Sequence, residues 1–304
     1  MELPLSWMRG LYPRADFRHT ALRHKQARWV HFASIPADIT LDGWLDGLKS
    51  SEGEAVILRG CSQPLADALK GRGFDLLPVG MEAEIPLGSF SPGTGLRELE
   101  RRAAKRGRIV PFLVDEQRAG EMQAVWENSV HAGRPVLKKL FRNERSLHRR
   151  GLAFVQAEGQ WLAFITWSHN NSRKRHLEQM VRRREAPAGV MEALILELIR
   201  KTVRDGYQTL SLGEVPFFFP EGFSPGARAG FIAAGGRRLS RIYNARGLHH
   251  FKNKFHPQWQ PVYICGKPKV SWLHLVEMAW HSRFVHLAVE TYLPFGHLFK
   301  KYKR

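Results

Sequence analysis

The chain has 304 residues, 43% of them hydrophobic, and a mean hydropathy of −0.33, values that predict a folded globular protein and exclude an intrinsically disordered one. Its 47 lysines and arginines outnumber 28 aspartates and glutamates, which gives a formal net charge of +19. Such a charge favours partners that carry phosphate, namely RNA, DNA or an anionic membrane surface, and does not distinguish among them.

Targeting and redox features favour a cytoplasmic protein. The two cysteines, Cys61 and Cys265, lie far apart in the sequence and form neither a disulfide framework nor a CxxC metal motif. Residues 1–10 lack the basic start and apolar core of a signal peptide, and no run of 18 apolar residues is present. We therefore expect a cytoplasmic protein without a spanning segment, which can lie peripherally at the inner face of the membrane.

The first half of the chain alternates predicted strands and helices. Short apolar runs predict strands, and apolar residues at helical spacing predict helices. These are a strand at 29–34, a helix at 41–48, strands at 55–58 and 81–85 flanking a helix at 63–71, and a basic helix at 96–108 with Thr94 as its candidate N-cap. We place a domain boundary at residue 108, so that residues 1–108 form an N-terminal unit ending in the basic connecting helix.

The second half shows a longer series of the same kind. Predicted elements are a strand at 109–114, helices at 117–130 and 137–149, strands at 153–156, 161–167 and 177–180, a helix at 190–205, a strand at 209–212, a short helix at 227–233, and strands at 239–243 and 261–265. This order resembles that of the acetyltransferase (GNAT) fold. The predicted class is therefore α/β, with two tandem GNAT-like acyltransferase domains, the second over residues 109–269.

A basic turn precedes the predicted helix at 190–205. Arg182, Arg183 and Arg184 come before Pro187 and Gly189, which break regular structure. A helix that begins here points its free N–H groups and positive dipole end at the turn. Guanidinium groups at such a terminus predict an anion site for a donor phosphodiester or pyrophosphate. The alternative is a solvated turn before a helix that only packs on the sheet.

Residues 270–304 form a predicted amphipathic helical tail. Leu273, Val276, Trp280, Phe284 and Leu287 recur at helical spacing, and charged residues among them forbid a spanning helix. The stripe predicts either packing against the domain, the commoner role of such helices, or a helix lying on a membrane. The terminal KKYKR would suit anionic lipid.

Five sequence blocks between Trp29 and Cys265 resemble one known family. They are VGMEAEIPL (79–87), LRELERRAAKRG (96–107), APAGVMEALILELI (186–199), GYQTLSLGEVPF (206–217) and GLHHFKNKFHPQWQPVY (247–263). The last block is the most specific, because its KxKFxPxWxP spacing has little reason to arise from packing alone. On these motifs the chain resembles the C-terminal domain of the phosphatidylglycerol lysyltransferase family. We expect it to lack the transmembrane flippase that usually precedes that domain.

The resemblance implies a tandem GNAT fold and transfer of a lysyl or alanyl group from aminoacyl-tRNA to the headgroup of phosphatidylglycerol or a related acceptor. Two positions depart from the family pattern. The family's DLMR is Glu178-Gln179-Met180-Val181 here, with Arg182 one residue later, and the family's arginine after WxP is Val262. Both changes remove a cation expected close to the chemistry.

Aminoacyl transfer needs a base, a positive group near the developing oxyanion, and cations for the substrates' phosphates. Glu178, expected at a strand end facing the cleft, is the candidate base or amine-positioning carboxylate, and a surface ion pair is the alternative. Lys252 and Lys254 would share one face of an extended segment and offer ammonium groups to phosphate or the oxyanion; an ordinary amphipathic edge is the alternative. Gly189, Arg246 and Asn244 complete the predicted substrate-binding set.

Three functions remain open on the sequence. The first is transfer from an aminoacyl-tRNA donor to an anionic phospholipid, with the basic helix at 96–108 and the cluster at 138–150 as candidate RNA contacts or solvated faces. The second is acyl-CoA-dependent N-acylation of a small amine or protein, although the loop RRREAPAGVM matches the pyrophosphate motif poorly. The third is non-catalytic binding of RNA or membrane, which Val181 and Val262 favour.

Cofactor and metal signatures are missing from the sequence. No P-loop, GxGxxG or GxSxG motif occurs, and Ser211 lacks recognisable partners for a catalytic triad. The histidines at 249–250 are adjacent and have no third ligand at a suitable spacing. We therefore expect neither a cofactor nor a metal.

Overall fold

The computed structural model describes residues 2–48, 55–142, 150–171, 173–223, 226–238 and 244–292. The strands in these ranges are β1 (Met8–Gly10), β2 (Asp16–Leu22), β3 (Ala27–Pro36), β4 (Ala55–Cys61), β5 (Asp75–Pro86), β6 (Arg108–Leu113), β7 (Arg150–Val155), β8 (Trp161–His169), β9 (Lys174–Arg182), β10 (Thr209–Pro216) and β11 (Gln258–Lys267). The helices are α1 (Leu41–Gly47), α2 (Gln63–Lys70), α3 (Thr94–Ala104), α4 (Glu116–Glu127), α5 (Val190–Arg204), α6 (Gly226–Arg238), α7 (Ala245–Asn253), α8 (Trp272–His281) and α9 (Phe284–Tyr292). The predicted α/β fold class is confirmed.

One large mixed sheet runs through both halves of the chain. Its strand order is β1-β3-β4-β11-β5-β10-β9-β8-β7-β6, with β2 paired to β3. β9 and β10 are parallel neighbours joined by α5, whereas β5 pairs antiparallel with both β10 and β11. The last strand, β11, therefore lies between β4 and β5 of the first half. The division of the chain at residue 108 stays a prediction.

The main core lies between the sheet and the helices α3 and α5. Apolar side chains from β5, β8, β9 and β10 meet the buried face of α5 there. Met191, Leu194 and Ile195 are buried as their spacing predicts, whereas Val203 in the last turn is 51% exposed. α4 covers a second cluster on β6 to β9. These helices fix the positions of β9 and β10, which carry the site described below.

Two local predictions are wrong where tertiary contacts or backbone geometry decide the structure. Residues 137–142 form no helix, because Lys138 instead donates its N–H to the Ser282 carbonyl beside α8; positions 143–149 of the predicted helix lie outside the described residues. Gly93, in extended conformation, is the N-cap of α3, and Thr94 is its first helical residue. The predicted strand at 239–243 also lies outside the described residues.

The predicted helical tail contains two helices over its described part. Leu287 is buried, but Leu273, Val276 and Trp280 are more than half exposed, so the expected packing of this stripe on the domain is wrong at those three positions. Within the ranges that the structure describes, no helix is long and apolar enough to cross a membrane.

Candidate active site

The sheet opens between β9 and β10. These strands pair only from Lys174 to His176 against Thr209 to Ser211. Beyond that point Gly213, with φ +82°, lies in a bulge of β10 against β5. A bulge in β9 also makes Glu178 the extra residue opposite β8. The opening therefore lies at the carboxyl ends of a parallel strand pair, the usual place for ligands in sheets of this kind.

A buried group of side chains, which we call the central polar cluster, lies where the two strands separate. It comprises Glu82, Lys174, His176, Ser211 and Lys252, each at most 4% exposed. His176 Nδ1 lies 2.9 Å from Ser211 Oγ, which also accepts the Gly213 N–H at 3.0 Å. Buried polar groups on three strands and one helix thus converge at the opening.

Lys252 is the member of the cluster that belongs to α7. Its Nζ donates to the carbonyl oxygens of Gly213 at 2.8 Å and Glu214 at 3.0 Å. Burial lowers the pKa of Lys252 to about 7, against the attraction of the Glu214 and Glu82 carboxylates. A lysine with such a pKa exists in both protonation states near neutral pH, as a proton-transfer group requires.

Lys174 holds two carboxylates at the other side of the cluster. Its Nζ bonds Glu82 at 2.9 Å and also bonds Glu84. Burial would lower the pKa of Lys174, but Glu82 and Glu84 outweigh it and raise that pKa. For Glu84, burial and then the Glu82 charge raise the pKa to about 7. The ammonium therefore balances a carboxylate pair of which one member titrates near neutrality.

His176 lies within electrostatic reach of two of the three predicted catalytic residues, Glu178 and Lys252. Burial lowers the pKa of His176; the Glu178 and Glu82 carboxylates oppose this effect, and the Lys174 and Lys252 ammonium groups add to it. The imidazole is therefore neutral at neutral pH. A neutral histidine bonded to a serine can pass a proton through the cluster.

Glu178 does not lie at a strand end facing a cleft, so that prediction is wrong. It lies in the middle of β9, 8% exposed. Its carboxylate accepts hydrogen bonds from the hydroxyls of Ser6 (2.9 Å) and Ser168 (2.5 Å) and from the Arg142 N–H (3.0 Å). Glu178 thus fastens the N-terminal segment to β9. Its proposed catalytic role stays a prediction.

Arg142 belongs to the basic cluster at 138–150 but makes its contacts within the protein. Its guanidinium is buried and donates to the carbonyls of Ser6 at 2.6 Å and Ala33 at 2.9 Å. It also lies over the Phe32 ring, 4.9 Å from its centroid. The charge serves the attachment of the N-terminal segment.

Lys254 does not share a face with Lys252, because the segment is helical and not extended. α7 ends at Asn253, and Lys254 is its C-cap. The Lys254 Nζ bonds Glu192 at 2.8 Å in the first turn of α5. The two ammonium groups therefore serve different elements: that of Lys252 contacts β10, and that of Lys254 contacts α5.

The basic turn does not bring three guanidinium groups together at the start of α5. The Nε of Arg183 donates to the Trp161 carbonyl at 2.8 Å, and the Nε of Arg184 to the Ser129 carbonyl at 3.1 Å. Arg182 is exposed and reaches the Ala186 carbonyl of its own loop at 3.5 Å. Arg183 also reaches the Glu185 carboxylate of this loop at 3.5 Å. The turn therefore ties β9 to β8 and to the segment that follows α4.

Gly189 is required by geometry at the start of α5. Its φ is +93°, and a Cβ there would lie 2.3 Å from the Leu99 carbonyl oxygen of α3. Asn244 caps α7 by accepting the Gly247 N–H at 2.8 Å, while Arg246 is exposed in the first turn of that helix. The structure thus gives Gly189 and Asn244 structural roles, and the substrate contacts predicted for them remain untested.

Sequence reasoning missed most of the central polar cluster. His176 and Lys174 lie outside the motif blocks, Ser211 lies in one without a recognisable partner, and their meeting depends on strand order. Glu82 and Glu84 stand in MEAEIP, where two carboxylates alternate with apolar residues in a predicted strand. In the structure the Glu82 carboxylate is buried, and a buried charge requires a partner.

A small pocket of about 160 Å³ lies between α4 and the strands β8 and β9. Its lining contains no charged residue and consists of Ala119, Met122, Gln123, Trp126, Val136, Phe164 and Gln179. In the part of the chain that the structure describes, no three His, Cys, Asp or Glu residues are arranged to hold a metal ion.

A family model and solved structures both match the chain. The family model described as "Phosphatidylglycerol lysyltransferase, C-terminal" matches residues 40–266. The structure of L-PGS from Bacillus licheniformis is similar, with 19% identity, coverage of 90% of this chain and 86% of that one, and a TM-score of 0.63. So is a domain assigned as the C-terminal domain (DUF2156) of a lysylphosphatidylglycerol synthetase from Agrobacterium fabrum, with 20% identity, 89% and 86% coverage, and a TM-score of 0.64. At these identities the two structures show the fold alone. No curated protein matches the chain.

Proposed function

The chain belongs to the family of phosphatidylglycerol lysyltransferase C-terminal domains, and from that premise we propose that it transfers an aminoacyl group from aminoacyl-tRNA to the glycerol headgroup of phosphatidylglycerol or a related anionic acceptor. The observation that carries the proposal is the position of Lys252. Its ammonium group, with a pKa of about 7, lies on β10 carbonyls where β9 and β10 separate.

The separated strands would hold the reacting ester. Beyond His176 and Ser211 the facing edges of β9 and β10 no longer pair with each other, so their main-chain groups can bond an extended substrate. The aminoacyl ester would enter this opening with its carbonyl near Lys252. The net charge of +19 favours approach of the polyanionic donor and of an anionic acceptor.

Proton transfer is the role we assign to Lys252. Neutral Lys252 takes the proton from the acceptor hydroxyl as its oxygen attacks the ester carbonyl. The resulting ammonium stabilises the tetrahedral oxyanion and then returns the proton to the departing ribose oxygen. One ester bond forms and one breaks, with no net proton change. His176, Ser211 and the Lys174–Glu82 ion pair surround Lys252 with neutral or mutually compensated groups, so that its change of charge is the main one in the cluster.

The small pocket bears on which aminoacyl group is moved. Its uncharged lining has no carboxylate to pair with a lysyl ammonium. If the aminoacyl side chain occupies this pocket beside Gln179, alanyl transfer should exceed lysyl transfer. Both donors belong in the same assay.

The test is transfer of radiolabelled lysine or alanine from charged tRNA to phosphatidylglycerol vesicles, followed by lipid extraction. Lys252→Met should lower the rate at least 100-fold, since positioned proton transfer contributes about 10²–10⁴-fold. Lys70→Met, at the exposed end of α2, is the matched control and should retain the wild-type rate.

Two outcomes would redirect the assignment. Equal rates for Lys252→Met and wild type would remove Lys252 from the reaction. Absence of labelled lipid with either charged tRNA, together with acylation of an amine by an acyl-CoA, would favour the acyl-CoA alternative, because an opening between parallel strands also suits a pantetheine arm.

A further inference from the structure

An exposed apolar face covers the outer side of α8 and α9. Within α8 the exposed positions follow helical spacing, and the Phe231 ring of α6 extends the face, 5.9 Å from the Trp272 ring. We call this surface the α8–α9 apolar face. Its members are 43–75% exposed and comprise Phe231, Trp272, Leu273, Val276, Trp280, Val289 and Tyr292. So many large apolar side chains on one surface indicate an interaction site.

The opposite side of α8 already packs on the protein. His274 and Met278 are buried there, and the His274 Nε2 lies 3.0 Å from the His24 carbonyl. Glu277, the carboxylate of α8, accepts the N–H groups of Arg23 at 2.6 Å and His24 at 3.0 Å. The helix is therefore fixed in orientation, and its acidic residue is turned to the protein instead of the apolar face.

Cations lie beside the face. Lys269 is exposed just before α8. Arg283 is exposed between α8 and α9, and exposed Lys138 is tied to this junction by its N–H bond to the Ser282 carbonyl. An apolar, tryptophan-bearing face within a basic rim is complementary to an anionic bilayer surface.

We propose that the α8–α9 apolar face docks the protein on an anionic phospholipid membrane. The apolar side chains enter the boundary between headgroups and acyl chains, and the basic rim contacts lipid phosphates. This proposal rests on the proposed function in one respect, namely that the bound lipid is also the acceptor of the aminoacyl group. Docking itself can be measured without any transfer reaction.

The experiment is sedimentation of the full chain with vesicles of phosphatidylglycerol and phosphatidylcholine, or of phosphatidylcholine alone. The test variant is Val276→Glu with Trp280→Glu. The matched control, Leu113→Glu with Val203→Glu, places the same two charges on residues that are 54% and 51% exposed elsewhere. We expect wild type and control to bind the anionic vesicles alike, and the test variant to bind at least tenfold more weakly.

Equal binding of the two variants, or no binding of the wild type, would overturn the proposal. The proposal would also be overturned if the wild type were a dimer, the test variant were a monomer, and the two bound vesicles equally. A second copy of the chain would then cover the face. Transfer to short-chain, dispersed phosphatidylglycerol separates the two proposals. Vesicle binding through this face without any transfer would support docking and refute the aminoacyltransferase function. Transfer without such binding would support the aminoacyltransferase function and refute docking.

Discussion

Replacing Lys252 by methionine should change how stability depends on pH. In the unfolded chain the lysine titrates near 10.5, whereas burial lowers its pKa to about 7 in the folded protein, a difference of about 5 kcal/mol at 1.36 kcal/mol per pH unit. Between these two values the unfolded state binds more protons than the folded state. The free energy of unfolding of the wild type therefore contains a contribution that rises with pH in this window and is flat below it.

The size of the effect follows from the two pKa values. From pH 7 to pH 9 the Lys252 contribution should raise the wild-type free energy of unfolding by about 2 kcal/mol. Methionine removes the titration and leaves the Gly213 and Glu214 carbonyls without this donor, a pH-independent loss of about 1–3 kcal/mol. The free energy of unfolding of the wild type minus that of Lys252→Met should thus rise by about 2 kcal/mol from pH 7 to pH 9.

Urea unfolding at pH 7, 8 and 9 measures this change, with Lys70→Met as the exposed control. The wild-type free energy of unfolding minus that of Lys252→Met should rise by about 2 kcal/mol over the range, and the same difference for the control should stay constant. A constant difference for Lys252→Met would refute the assignment of a buried lysine that is half neutral at pH 7. The same protein samples serve the transfer assay, whose rate should rise through pH 7 as Lys252 loses its proton.

Three further predictions concern the surroundings of the opening. Gly189→Ala should lower the free energy of unfolding by about 3–5 kcal/mol, because positive φ is combined with the Leu99 contact; Gly206→Ala, at φ +79° with no atom near its Cβ, should cost only about 1–2 kcal/mol in the same thermal melts. Lys174→Met should cost about 3–5 kcal/mol by leaving carboxylates buried without their cation, and adding Glu82→Gln should restore part of that loss in urea unfolding. Glu178→Gln should lower the free energy of unfolding by about 1–3 kcal/mol, because the carboxylate accepts three hydrogen bonds; a large loss of transfer rate in the folded variant would make Glu178 catalytic as predicted, and a wild-type rate would leave it the structural role alone.

The sequence predicts elements well where apolar periodicity is strong and local. α5 and β8 show strong apolar patterns, in VMEALILELI and WLAFITW, that no tertiary contact needs to override. The KNKF segment shows the opposite case: its alternation suggests a strand, but the Asn244 cap and the packing of Phe251 and Phe255 on the core make it the end of a helix. Periodicity over four residues cannot separate these two outcomes.

The candidate site was only partly predictable, because its residues meet through contacts that are distant in sequence. Lys252 stands in a specific motif, so its importance could be expected, but the block at 206–217 does not show that its Gly213 and Glu214 carbonyls accept hydrogen bonds from this lysine. His176 and Ser211 meet because β9 and β10 are parallel neighbours. Glu178 is held by Ser6, from an N-terminal segment whose place over the sheet depends on contacts distant in sequence.

The insertion of β11 between β4 and β5 has a consequence for synthesis on the ribosome. Tyr263 pairs with Cys61 and with Pro78, so the middle of the sheet stays incomplete until nearly the whole chain has emerged. Until then β4 and β5 each present an unpaired edge, which is the structure that other nascent chains can join. We expect slow folding with many non-local contacts, and fragments that end before residue 258 should aggregate when expressed without a chaperone.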